Sequence, residues 1–165
     1  MVALKIEDLK QFTSKLFMGE GFDTFLVREA DFVTFNSFHI DGHIRQGYYS
    51  DEELEAGKIE DLSSWKVLRP ICFGLIKGKK LPEYFQIVMQ LSPGNTDRFL
   101  KSRQLSMTSE NINGLYLNIR YEDGVLNCIT GTSVNFFTLD KSLDREWDDM
   151  ARTILKKYEI AFSEE

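Results

Sequence analysis

The chain is poor in the residues that most site chemistry needs. It has two cysteines, Cys72 and Cys128, and two histidines, His39 and His43. Two cysteines so far apart make neither a disulfide framework nor a Cys-x-x-Cys pair. The Gly-x-Ser-x-Gly, His-Glu-x-x-His and Gly-x-Gly-x-x-Gly patterns are all absent, and so is the phosphate-binding P-loop. No linker, low-complexity run or exact repeat interrupts the chain. The longest uncharged stretch, Gly124 to Leu139, is too short for a membrane helix and is rich in Asn, Thr and Ser. Glu7 and Asp8 arrive before any apolar run could form. That predicts no signal peptide, no membrane contact and a cytoplasmic address.

What is present is core-forming material. The 165 residues are 42% hydrophobic and include thirteen Phe. That length suits one domain, 1–165, with a core rich in aromatic rings and no need of metal or disulfide support. The net charge is −6, placed unevenly. Residues 1–61 carry −7, residues 62–109 carry +6, and residues 110–165 carry −5. The basic middle either docks on its acidic flanks or offers a patch to an anionic ligand. The overall acidity argues against general nucleic-acid binding.

The local signals predict an α+β chain. A first helix runs from about Asp8 to Met18, with Asp8 as cap, Gln11 as its capping-box partner and Gly19 as stop. Its apolar stripe is Ile6, Leu9, Phe12, Leu16 and Phe17. Strands follow from Phe22 to Tyr49, with Asp41-Gly42 predicted as a two-residue hairpin turn. A short acidic helix opens at Ser50, closed into a capping box by Glu53, and ends at Gly57. Pro70 stands inside Trp65 to Ile76, where helical spacing is otherwise good. That predicts a strand over Ile71 to Ile76, a basic turn at Lys77, Lys79 and Lys80, and a strand from Tyr84 to Leu91.

Ser92-Pro93 opens another helix, to about Arg103, and a short helical turn starts at Ser109. A hairpin from Leu115 to Thr130 turns at Asp123-Gly124, and a strand follows over Asn135 to Leu139. The last helix runs from about Asp140 to Tyr158, acidic at its start and basic at its end. The predicted architecture is a single antiparallel sheet of about six to eight strands, with the N- and C-terminal helices packed on one face.

Three constellations are candidates for function. If Asp123-Gly124 is a turn, Tyr121 pairs with Leu126, Ile119 with Cys128 and Leu117 with Thr130 on the core side. Tyr116, Asn118, Arg120 and Asn127 then share the opposite, polar face, either a solvated surface or the lining of a binding site. The basic middle adds Arg69, Lys77, Lys79 and Lys80. The third set is His39, Asp41 and His43. On one continuous strand they would share a face and make a metal triad. A turn at Asp41-Gly42 would send the two histidines to opposite faces.

The preferred function is therefore a cytoplasmic, non-enzymatic binding or interaction protein. It would use the polar sheet face and the basic segment, with an anionic small molecule or a protein as partner. The alternative is a small metal-assisted enzyme using His39, Asp41 and His43. No cofactor is implied.

Four stretches carry a resemblance. They are Ser64 to Pro70 (SWKVLRP), Gln90 to Pro93 (QLSP), Gly114 to Gly124 (GLYLNIRYEDG) and Thr138 to Leu143 (TLDKSL). Together they resemble an uncharacterised family of Gram-positive bacteria, the domain of unknown function DUF5721. The resemblance spans nearly the whole chain and implies one domain of a small cytoplasmic bacterial protein. It implies no activity, cofactor or catalytic residue.

Overall fold

The computed structural model describes residues 1–57 and 59–164. Among these residues, seven strands form one antiparallel sheet: β1 (Ala3–Ile6), β2 (Leu26–Val33), β3 (Ser37–Asp41), β4 (Tyr84–Gln90), β5 (Ile112–Glu122), β6 (Val125–Val134) and β7 (Phe162–Glu164). Their order across the sheet is β3-β2-β4-β5-β6-β1-β7. Five helices accompany them: α1 (Leu9–Phe17), α2 (Asp51–Glu55), α3 (Trp65–Ile76), α4 (Pro93–Ser102) and α5 (Ser142–Lys157). The predicted α+β class and the strand number are both found.

Period-two alternation divides the sheet into two faces. Phe85, Ile87 and Met89 of β4 and Leu115, Leu117, Ile119 and Tyr121 of β5 point to the core. Against them pack Phe12, Leu16 and Phe17 of α1, and Leu143, Trp147, Ala151 and Leu155 of α5. Phe17 is the hub of the aromatic core. Its ring lies edge-on to Phe32, Trp65 and Phe85, with centroids 6.4, 5.7 and 5.6 Å away. Such geometry adds to the area the rings bury.

Several local signals act as expected. Asp8 caps α1 by accepting from the Gln11 amide, although the Gln11 side chain turns to the Glu159 carbonyl. Ser50 and Glu53 form the capping box of α2, and Ser92 caps α4 with Pro93 at its first turn. Asp123 and Gly124 hold φ of +53° and +77°, so both residues are left-handed, as the tightest hairpin turn requires. The register then follows: Tyr121 opposite Leu126, Ile119 opposite Cys128, Leu117 opposite Thr130.

Four expectations are overturned. Asp41-Gly42 is not a turn. β2 and β3 are joined through Thr34–Asn36, with Val33 opposite Ser37, and the chain runs on extended through Asp41. β2 lies between β3 and β4, and β3 is the sheet edge. Ile71–Ile76 is helix, not strand. Pro70 removes the amide that would bond the Lys66 carbonyl. Lys66 and Pro70 are both exposed, so water can serve that carbonyl. The helix is held by burial of Trp65, Leu68 and Cys72 and by the Trp65 indole N–H donating to the Leu16 carbonyl at 2.9 Å.

Asn135–Leu139 is a loop with Phe137 and Leu139 exposed, and it pairs with no strand among the described residues. Finally, β1 and β7 lie outside the predicted elements. Ile6, assigned to the stripe of the first helix, belongs to β1, which is wedged between β6 and β7.

Candidate functional site

The outer sheet face carries the predicted polar set. Tyr116, Asn118 and Arg120 alternate with core-facing residues on β5, and Asn127 stands opposite Arg120 on β6. β4 adds Tyr84, Gln86, Val88 and Gln90 to the same face. Most of these groups are already engaged with one another. The Arg120 guanidinium donates to Glu122 at 2.6 Å and lies 5.8 Å from the Tyr84 ring centroid. Partial burial pushes the Tyr84 phenol above its usual range. Arg28 of β2 lies 5.6 Å from the Tyr116 ring and donates to Gln90 Oε1 at 3.1 Å. Asn118 Oδ1 is out of contact with solvent and has no hydrogen-bond partner among the described residues.

The predicted basic set separates into two parts. Arg69 is committed elsewhere: it grips Asp23 with two parallel bonds of 2.8 and 2.9 Å. The lysines form the rim of a groove. α3 ends at Ile76, Lys77 is extended, and Gly78 at φ +141° swings the chain back towards β4. Between this turn and α1 lies a groove of about 610 Å3. Its lining includes Phe17, Phe73, Ile76, Leu81, Phe85 and Tyr121, with Lys10, Lys77 and Lys80 among them. Leu81 is 82% exposed there, a large apolar side chain left without cover. Lys79 lines the adjoining cleft of about 520 Å3, with Phe35 and Leu75.

Among the described residues, the basic partners of ion pairs are arginines, histidines, the N-terminus and Lys141; Lys10, Lys77, Lys79 and Lys80 make none. Lys10 and Phe73 were not singled out by sequence. Lys10 sits one residue from the stripe of α1, and only the packing of α1 beside α3 brings it to the groove.

The histidines share one face after all, because β3 runs straight through Asp41. His39 Nδ1 lies 2.7 Å from Asp31 Oδ1, and His43 Nδ1 lies 2.7 Å from Asp41 Oδ1. The hydrogen bond to Asp31, reinforced by its charge, raises the His39 pKa above 6.5. The His43 amide, donating at 3.0 Å, and then its ring hold the Asp41 carboxyl below its usual range.

Each ring is thus tied to its own carboxylate. Four residues of extended strand also separate them by roughly 13 Å. Among the described residues, no group of three His, Cys, Asp or Glu is placed to hold a metal ion. The cysteines are buried. Burial pushes the Cys72 thiol up to about 12 and raises Cys128 as well, so neither is a ready thiolate.

No helix among the described residues is long and apolar enough to cross a membrane. No curated protein and no solved structure matches this chain. The model of a family of unknown function, DUF5721, matches residues 15–163, nearly the whole chain, and the protein belongs to that family.

Proposed function

We propose that the protein is a non-enzymatic, cytoplasmic binding protein whose ligand is a small amphipathic anion held in the groove between α1 and the turn after α3. The observation that carries this reading is the joining of an open aromatic and aliphatic lining with three lysines that make no ion pair among the described residues. The volume is that of a small-molecule site. An apolar body would cover Phe73, Ile76 and Leu81, and a carboxylate or phosphate would meet Lys10, Lys77 and Lys80. Lysine suits such a rim, because its flexible ammonium follows an anion without demanding fixed geometry. The polar sheet face is the weaker candidate, since Arg120 is already spent on Glu122.

Titration with decanoate, decyl phosphate and decanol, read by thermal shift and calorimetry, tests the reading. Both anions should bind saturably and decanol more weakly. Lys77→Glu with Lys80→Glu should weaken the anions by about tenfold or more, roughly 1.4 kcal/mol. Equal binding of decanol and decanoate, or no binding of either anion, would refute it.

A further inference from the structure

At the opposite end of β4, a second groove of about 950 Å3 runs beside Gln90 and the start of α4. It shares Arg28 and His43 with a smaller cleft of about 410 Å3 on the outer sheet face. Both open around an irregularity in β2, whose register against β4 slips between Val27 and Glu29, leaving Arg28 as the extra residue. Such bulges re-aim one side chain and often stand beside binding sites.

The bulge is locked from several sides. Gly42 donates to the Arg28 carbonyl at 2.9 Å, and Val27 donates to the Ser63 carbonyl at 2.8 Å. Ser63 in turn donates to the Gly42 carbonyl at 2.9 Å. A Cβ at residue 42 would stand 1.8 Å from the Val27 oxygen, so only glycine allows this approach. The backbone beneath Arg28 is therefore rigid, as a preformed site requires.

Among the described residues Arg28 makes no ion pair, although Glu29 and Asp41 line the smaller cleft with it. Four described arginines are half-buried: Arg28, Arg69, Arg103 and Arg152. Three of them pair with carboxylates, namely Asp23, Glu146 with Asp149, and Glu164. Arg28 has only the neutral Gln90 amide oxygen and the Tyr116 ring among the described residues. A partly desolvated guanidinium calls for an anion, and its planar fork matches a carboxylate. The same groove also carries Glu60 and Asp61, which would repel a ligand that is negative throughout.

We propose that this groove binds a small zwitterion of the α-amino-acid class. The ligand carboxylate lies on Arg28 beside His43, the ammonium faces Glu60 and Asp61, and the body rests near Ile44. The site is separate from the lysine-rimmed groove and does not depend on it.

Titration of 15N-labelled protein with a panel of free α-amino acids tests the proposal, followed by the N-acetyl and amide derivatives of any that bind. At least one free amino acid should saturably shift the amides of His43 and Gly94 at millimolar concentration. Removing either ligand charge should weaken it by about tenfold, the scale of one charge-assisted contact. Arg28→Gln should lose binding to the same degree, as should Asp61→Asn, an exposed change that leaves the bulge intact. Lys77→Glu with Lys80→Glu should retain it in full. The proposal fails if no free amino acid binds, if the N-acetyl or amide form binds as well as the parent, or if Asp61→Asn and Arg28→Gln both bind normally.

Discussion

Asp123-Gly124 and Asp41-Gly42 are the same dipeptide between strand-forming residues, and the fold uses them in opposite ways. The first is a turn: both residues are left-handed, Gly124 has open space around it, and two long strands diverge from it. The second lies in extended chain. Gly42 is not left-handed, is buried, and is pressed on the backbone of β2 where the sheet carries its bulge. Glycine therefore meets two different demands here. At residue 124 it supplies a backbone angle. At residue 42 it supplies the absence of a side chain.

The two roles predict different costs. Gly42→Ala should be the most damaging change. Its methyl would collide with backbone, and the strand pair would have to move apart. Loss of about 3 kcal/mol or more in urea unfolding is expected, with loss of the Arg28 groove. Gly124→Ala should cost about 1–2 kcal/mol, the penalty of a left-handed residue with a Cβ, and leave both grooves unchanged. If the two variants unfold at the same midpoint, the distinction between them is wrong.

The aspartates separate the sites more gently. Asp123→Asn keeps an excellent turn residue, so its unfolding midpoint should stay where it is. Asp41→Asn should release His43, which NMR would show as a shift of the His43 ring and amide.

The smallest effect concerns pH. Asp31 raises the pKa of His39, so that pair stabilises the fold fully below the unfolded value of 6.5. The contribution fades as pH rises through the higher folded value. Asp41 has the opposite sign. Its lowered pKa gives a contribution present above 3.8 that is lost as pH falls through the folded value. An NMR titration should show His39 moving down towards 6.5 in Asp31→Asn. An unmoved midpoint would mean that the Asp31–His39 bond is absent in solution.

The candidate residues were legible in unequal measure. Tyr116, Asn118, Arg120 and Asn127 could be assigned to one face because the turn at Asp123-Gly124 sets the register for every residue behind it. Lys77 and Lys80 were visible as a basic turn, but not as the rim of a groove. Their partner Lys10 is some seventy residues away in sequence, and nothing local connects them. Arg28 was visible only as one charge among several. Its importance comes from a bulge that requires Gly42 and Ser63 to arrive from elsewhere in the chain. The two histidines were placed on opposite faces for the same reason: Asp-Gly chemistry favours a turn, and only contact with Val27 shows why this one stays extended.

By itself, the sequence determined what short-range chemistry controls: the caps at Asp8, Ser50 and Ser92, the turn at Asp123-Gly124, and the division of β5 and β6 into core and outer faces. These depend on one residue and its near neighbours. Tertiary structure decided the rest. It made Trp65–Ile76 a helix despite Pro70, because burying Trp65 and bonding its indole to Leu16 outweigh one lost amide. It turned Gly42 from a turn residue into a contact residue, and it gathered Lys10, Lys77 and Lys80 around one apolar groove. Each of those outcomes rests on atoms far apart in the chain, which no local pattern can report.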